Sequence, residues 1–227
     1  MDEIYDVLGI ELFDKKVCVS RFNSDQIDLI SRALRKSITI LDLGVGIGNL
    51  ANRLIEQGNV VYGVDKRQDM LDYVRNKVGT KKKKRLHLLK EDVRKLDFDS
   101  EFDGASCICN LPDFGNLDEV FLGVNRALKR GGYFAMTGVE GELTKKYISL
   151  RRNEEIRALK SGSLVYSPDE VMRLTEFAQM LDSESNSASI PDSSKITIDA
   201  LRKNGFNVEK ARHFYEGCGY FILARKK

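Results

Sequence analysis

Between residues 37 and 137 one pattern recurs, and it leaves few folds open: a short β-rich apolar run, a turn, then an amphipathic run. The apolar runs occupy 38–43, 60–64, 86–89, 105–109 and 133–137. Each is nearly continuous in hydrophobicity, as expected for strands covered on both faces. Between the first two, Leu50, Leu54 and Ile55 fall at helical spacing and Gly58 stands as a stop. Between the second and third, Met70, Leu71, Val74 and Val78 form a second stripe, ended by Gly79. After the fourth, Val120, Phe121, Val124 and Leu128 share a face, which runs into a basic last turn and two glycines. Strands and helices alternating at this length build a parallel sheet with helices on both faces, a doubly wound α/β core.

The flanks differ from this core. Residues 1–36 read as one or two helices, with Ile27, Leu29, Ile30 and Leu34 on the apolar side, and form an N-terminal helical cap. Residues 37–227 are expected to be the main domain, carrying a charged helical insertion at about 141–194. Within that insertion Ser167-Pro168-Asp169-Glu170 is a capping box with proline at the first helical position, so a helix should begin there. Residues 183–194 are small and polar, an expected exposed loop. A short helix capped by Thr197 and ended by Gly205 follows, then β-like runs at 206–210 and 219–224 close enough to pair antiparallel. The whole predicts a mostly parallel seven-stranded sheet with a C-terminal antiparallel hairpin.

Composition removes other classes. At 227 residues the chain buries roughly 70% of its unfolded surface and needs neither disulfides nor metal to hold a core. Its 42% apolar and 31% charged content excludes wholesale disorder. No apolar run reaches the roughly 18–20 residues that span a bilayer, so no membrane partner is expected. The start, MDEIYDVLGIEL, is acidic and broken by charge, unlike a signal peptide. Four cysteines without a CxxC pair, and two histidines, argue against a metal site. Such thiols suit a reducing compartment, and a cytoplasmic location is expected.

The chemistry concentrates in Asp42-Leu43-Gly44-Val45-Gly46-Ile47-Gly48-Asn49, three alternate glycines between a strand and a helix. Glycine lets a ligand approach the backbone closely, and the helix start turns unpaired N–H groups and partial positive charge toward it. Asp65 ends the second strand 21 residues after Gly44, where an acidic side chain takes the two hydroxyls of a ribose. The expected ligand is an adenosine-type nucleoside with a polar chain. A dinucleotide fingerprint would be GxGxxG, whereas here the third glycine comes one residue early. A buried carboxylate at Asp42 would repel a pyrophosphate and attract an ammonium.

In this order and spacing the residues resemble the class I, Rossmann-like S-adenosylmethionine-dependent methyltransferases, with the small-molecule enzymes the nearest group. The resemblance covers 38–137 well and 195–225 more loosely. It implies S-adenosylmethionine as cofactor and S-adenosylhomocysteine as product. Asp42, Gly44, Gly46 and Gly48 match the first family motif, Asp65 (with Lys66 beside it) the second, and Asp92 the third. Asp92 would hold the adenine amino group, with the Val93 N–H meeting the ring. A nicotinamide-dependent oxidoreductase is the rival reading of the glycine turn.

Direct methyl transfer needs in-line approach of a nucleophile at about 3–3.5 Å in a dry site, with no metal. The fourth strand runs into Asn110-Leu111-Pro112-Asp113-Phe114. Some amino-group methyltransferases carry Asn-Pro-Pro-Tyr/Phe here; Leu111 and Asp113 break that pattern, which argues against amide or exocyclic-amine acceptors. Asn110 near the methionine end and Asp113 near the acceptor are the candidate catalytic residues, with an Asx-type turn as the alternative. In similar enzymes the flanks cover the acceptor, and Tyr5, Arg21, Phe22, Tyr147 and Tyr166 are candidate lining groups. Lys145, Lys146, Arg151, Arg152 and Arg157 point to a polar or anionic small-molecule acceptor, or to a solvated helix face. The run Lys81-Lys82-Lys83-Lys84-Arg85 raises an RNA methyltransferase as runner-up, but without its five charges the formal balance falls from +3 to −2. Nucleic acid is therefore the less expected partner. A non-catalytic adenosine-binding subunit is the third class.

Overall fold

The computed structural model describes residues 6–79, 82–109, 111–184 and 193–227. Two N-terminal helices, α1 (Ile10–Cys18) and α2 (Arg21–Ala33), precede β1 (Thr39–Leu43), α3 (Asn49–Glu56), β2 (Val60–Asp65), α4 (Gln68–Lys77) and β3 (Leu86–Lys90). Then come β4 (Phe102–Ile108), α5 (Leu117–Ala127), β5 (Leu128–Val139), α6 (Thr144–Lys160), α7 (Pro168–Glu184), α8 (Ser194–Lys203), β6 (Phe206–Phe214) and β7 (Gly219–Lys226). The seven strands run in the order β3-β2-β1-β4-β5-β7-β6. The first five are parallel; β7 is antiparallel to both β5 and β6. This is the expected doubly wound sheet with its C-terminal hairpin.

Alternation along each strand sorts side chains onto two cores. Leu41, Leu43, Phe134 and Met136 pack with Val120, Phe121 and Val124 of α5 and Leu201 of α8. Ile40, Val61 and Ala135 pack on the opposite face with Ile30 of α2, Leu54 of α3 and Val74 of α4. Both faces are thus dry, which explains the near-continuous apolar runs. The chain returns from β3 at one edge to place β4 beside β1, and this reversal opens a crevice at the carboxyl ends of those two strands.

Several boundaries differ from the sequence reading: β4 starts at Phe102 and ends at Ile108, and β6 runs on to Phe214. The helix after β4 stops at Ala127; Leu128, Lys129 and Arg130 already belong to β5, where Leu128 pairs with Phe102. Apolar periodicity cannot separate a helix end from a buried strand start when both bury leucine. The last helix begins at Ser194 with Ser193 as its cap, accepting from Ile196 N–H, and Thr197 lies inside it. Of the expected 183–194 loop, 183–184 end α7, Ser193 and Ser194 open α8, and 185–192 lie outside the described residues. The capping box forms as read: Glu170 N–H meets Ser167 Oγ at 3.2 Å and Ser167 N–H meets Glu170 Oε2 at 2.7 Å. Among the described residues no helix is long and apolar enough to cross a membrane.

The flanking helices pin one another. Lys15 pairs with Glu170 at 2.8 Å, Lys16 with Glu155 at 2.7 Å, and Arg173 Nη1 donates to Leu8 O at 2.9 Å. Arg21 N–H at the start of α2 meets Glu154 Oε2 at 3.2 Å. On the sheet side, buried Asp14 of α1 accepts from Tyr73 Oη at 2.6 Å and from Lys77 of α4.

Candidate active site

The glycine turn leaves β1 at Leu43 and enters α3 at Asn49. Val45 N–H reaches across to Val64 O at 2.9 Å, and Gly48 N–H closes back on Val45 O at 3.0 Å. Gly44, Gly46 and Gly48 all sit at positive φ, 65°, 50° and 74°. The last two have different reasons to be glycine. A Cβ on Gly48 would lie 2.7 Å from Val74 Cγ1, inside the α3–α4 packing. A Cβ on Gly46 would meet nothing closer than Gly44 O at 3.9 Å, so there the backbone faces open space.

Two carboxylates flank this turn. Asp65, ending β2, accepts Gly46 N–H on Oδ2 and Arg67 N–H on Oδ1, each at 3.0 Å. Asp42 pairs in register with Ser106 of β4, is 3% exposed, and accepts the Ser106 hydroxyl at 2.7 Å. Burial pushes its pKa up to about 7; the Ser106 bond opposes the rise and the nearby Asp65 charge adds to it.

A cavity of about 340 Å³ opens beside the turn. Asp42, Gly44, Gly46 and Ile47 form one side. Phe13 and Val17 of α1, with Phe22 and Gln26 of α2, form another. Cys109 at the end of β4, and Tyr147 and Arg151 of α6, complete it. Phe22 stacks with Phe214 (centroids 5.1 Å) and meets Tyr147 edge-on (4.8 Å), so the aromatic wall is built by three distant segments. Burial, with Cys109 close by, pushes the Tyr147 phenol up to about 12, against the opposing pull of Arg151.

Asp42, Gly44, Gly46, Phe22, Tyr147 and Arg151 thus converge on one cavity. Gly48 shapes the turn from behind, and Lys66 beside Asp65 is exposed. Asp92 and Val93 follow β3 in a short 3₁₀ turn hung next to Asp65, where Glu91 N–H meets Asp65 O at 3.2 Å. The Arg94 side chain and N–H grip the Asp92 carboxylate and hold its pKa down at about 2, and Val93 is buried. Asn110 lies outside the described residues, as do Tyr5 and the side chain of Asp113; the Asp113 backbone belongs to the 3₁₀ turn Leu111–Phe114. Tyr166 turns away to donate to Glu155, Arg21 is paired with Asp25 in solvent, and Lys145, Lys146, Arg152 and Arg157 are exposed. The basic run lies before β3, at the other end of the sheet. There Lys82 is held by Glu56 and Asn52, and Arg85 by Gly58 O.

Sequence reading missed Phe13, Val17, Gln26 and Cys109. The signal for Gln26 was present: Phe22, Gln26 and Ile30 follow one another at a spacing of four along the buried face of α2, and an amide there interrupts an apolar stripe.

The family model described as "Methyltransferase domain" matches residues 34–188. YqeM of Bacillus subtilis (strain 168), named as a methyltransferase, is 32% identical over 108 residues. That match spans 45% of this chain and 43% of YqeM, so the chain matches less than half the length of this curated relative. Among solved structures, PH0226 from Pyrococcus horikoshii OT3 superposes with TM-score 0.61 at 23% identity, covering 92% of each chain. An S-adenosylmethionine-dependent methyltransferase from Mesorhizobium loti gives 0.59 at 19% identity, covering 83% of this chain and 90% of its own. These likenesses carry the fold, and the model match carries the family. The chain belongs to the methyltransferase-domain family, with the Rossmann-like fold of the S-adenosylmethionine-dependent enzymes.

Proposed function

We propose that this chain transfers the methyl group of S-adenosylmethionine to a small, polar or anionic acceptor by direct in-line displacement, leaving S-adenosylhomocysteine. One observation carries the reading: a single cavity joins the glycine turn and Asp42 to Phe22, Tyr147 and Arg151. The chain fits that cofactor on its own geometry, because the bare backbone at Gly46 is a cradle that a side chain would fill. When bound, the cofactor supplies a sulfonium methyl that is already electrophilic.

The protein's part is then binding, orientation and exclusion of water. Asp65 offers the ribose hydroxyls the lone pairs left by Gly46 and Arg67. Asp42 faces the ammonium of the methionine chain, and the start of α3 faces its carboxylate. Asp92, oriented by Arg94, and the Val93 N–H take the adenine; Lys66 lies beside the ribose. Asn110 serves the methionine end and Asp113 the acceptor side. α1 and α2 act as the cover on the acceptor side, with α1 tied to α6 and α7 by the Lys16–Glu155 and Lys15–Glu170 pairs.

Calorimetry against S-adenosylmethionine, S-adenosylhomocysteine and NAD tests the reading: the first two should bind, and binding of NAD alone would overturn it. Asp65→Ala should cost cofactor binding about 1–3 kcal/mol, roughly 5- to 150-fold in Kd, because it removes charged hydrogen bonds and loosens Gly46. An affinity within twofold of wild type would remove Asp65 from the site. Reversing Arg151 and Arg152 to Glu should abolish methylation of carboxylated and phosphorylated acceptors while leaving S-adenosylhomocysteine binding intact. Unchanged rates across such a panel would rule out an anionic acceptor.

A further inference from the structure

We infer that Gln26 reads the methyl acceptor, its side-chain Nε2 donating to an oxygen lone pair on a compact, largely apolar molecule such as an aromatic carboxylate or phenolate. The inference rests on the methyl-transfer reading above and adds the acceptor's chemistry to it.

Gln26 is 5% exposed, yet its amide is only half used. Oε1 accepts two hydrogen bonds, from Thr137 Oγ1 at 3.0 Å and from Cys109 Sγ at 3.2 Å. With the hydroxyl and the thiol both donating to Oε1, Nε2 is the free end. Among the described residues nothing accepts from Nε2, and Gln26 lines the cavity. Nε2 is not among the fully buried, unpartnered polar atoms, so its N–H groups open onto the cavity, where a ligand oxygen can take the place of water.

The support beneath the amide is built for that orientation. Thr137 is fully buried on β5. Cys109 adopts φ 51°, a conformation that non-glycine residues avoid; there its N–H meets Thr137 O at 3.0 Å and its thiol meets Gln26. Strain of this kind persists where the surroundings hold the residue in place. Phe13, Val17, Phe22 and Tyr147 around the amide are apolar or aromatic, which suits a ring or short hydrocarbon body. The nearby cation, Arg151, is shared with Glu154 at 3.6 Å, so an unshared donor from Gln26 is the sharper discriminator. With Asp42 taken up by the cofactor's ammonium, the donor at Gln26 favours ligands with oxygen lone pairs and disfavours ammonium groups of the same shape.

The test uses benzoate and benzylamine as probes, titrated calorimetrically at pH 8 into protein saturated with S-adenosylhomocysteine. Wild type should bind benzoate at least tenfold more tightly than benzylamine. Gln26→Glu keeps oxygens for Thr137 and Cys109 and exchanges only the donor, so it should invert that preference. Gln26→Met, which lacks both donor and charge, should erase it. S-adenosylhomocysteine affinity should stay within twofold in both variants. Equal probe affinities in wild type, or a ratio unmoved in both variants, overturns the inference. So does a tenfold loss of S-adenosylhomocysteine binding with an unmoved ratio, which would make Gln26 a cofactor contact. Failure of wild type to bind S-adenosylhomocysteine would instead sink the methyl-transfer reading; the change in probe ratio from wild type to Gln26→Met, with Asp42 common to both, would still judge Gln26.

Discussion

Gly48→Ala should destabilise the protein by about 2–5 kcal/mol, lowering Tm by about 10 °C for a chain of this size. Two costs add. The residue sits at φ 74°, where a Cβ costs about 1–2 kcal/mol. That Cβ would also fall 2.7 and 2.9 Å from the two methyl carbons of Val74, which is fully buried between α4 and the sheet. Overpacking of this kind costs about 1–3 kcal/mol. Gly46→Ala should separate stability from binding, losing about 1–2 kcal/mol of stability but more than tenfold in cofactor affinity, since its Cβ fills open space at the turn. Thermal melts with calorimetry distinguish the two. A double-mutant cycle with Val74→Ala locates the clash: additivity within about 0.5 kcal/mol would mean that Val74 does not cause it.

Asp42→Asn should remove a pH dependence of folding that the wild type shows between pH 4 and 7. The folded carboxyl holds its proton up to about pH 7, whereas an unfolded aspartate releases it near its ordinary value of 3.8. Across that window the native state binds more protons than the unfolded chain, so wild-type stability falls as pH rises and levels off above 7. Roughly 3 pKa units correspond to about 4 kcal/mol as an upper bound. The amide keeps an oxygen for Ser106 and carries no such penalty, so the variant should match wild type near pH 4 and exceed it at pH 8. Binding should change in the opposite sense, because an ammonium drawn to Asp42 needs the ionised form. Wild type should release a proton on binding S-adenosylmethionine near pH 6, visible as a buffer-dependent enthalpy, and the variant should not. Parallel pH–stability curves for the two proteins would refute the assignment.

The two predictions concern residues with different visibility in the sequence. Gly48 belongs to a local pattern, and its place between a strand and a helix could be read from neighbours within ten residues. Its clash partner could not, because Val74 lies 26 positions away on another helix and reaches Gly48 only through the packing of α3 against α4. Asp42 was visible as an acid before the turn, but its burial depends on β4 lying alongside β1, a pairing across 64 residues. The boundary at Leu128 misled for a related reason: a leucine buried in a helix and one buried in a strand have the same local signature, and only pairing with Phe102 separates them.

The sequence by itself determined the alternation of strands and helices, the glycine turn with its acids Asp42 and Asp65, and the capping box at Ser167. These depend on backbone conformation and side-chain period over a few residues, which local chemistry specifies. Tertiary structure alone decided which residues face the cavity. Phe22, Gln26, Cys109 and Tyr147 come from α2, α6 and the end of β4, with Thr137 of β5 holding Gln26 from below, and they meet because α1, α2 and α6 close over one end of the sheet. It also separated Arg151, in the cavity wall, from Arg152, which the next step of the same helix carries out to solvent. Such convergence is set by long-range packing and hydrogen bonding, which no local window contains.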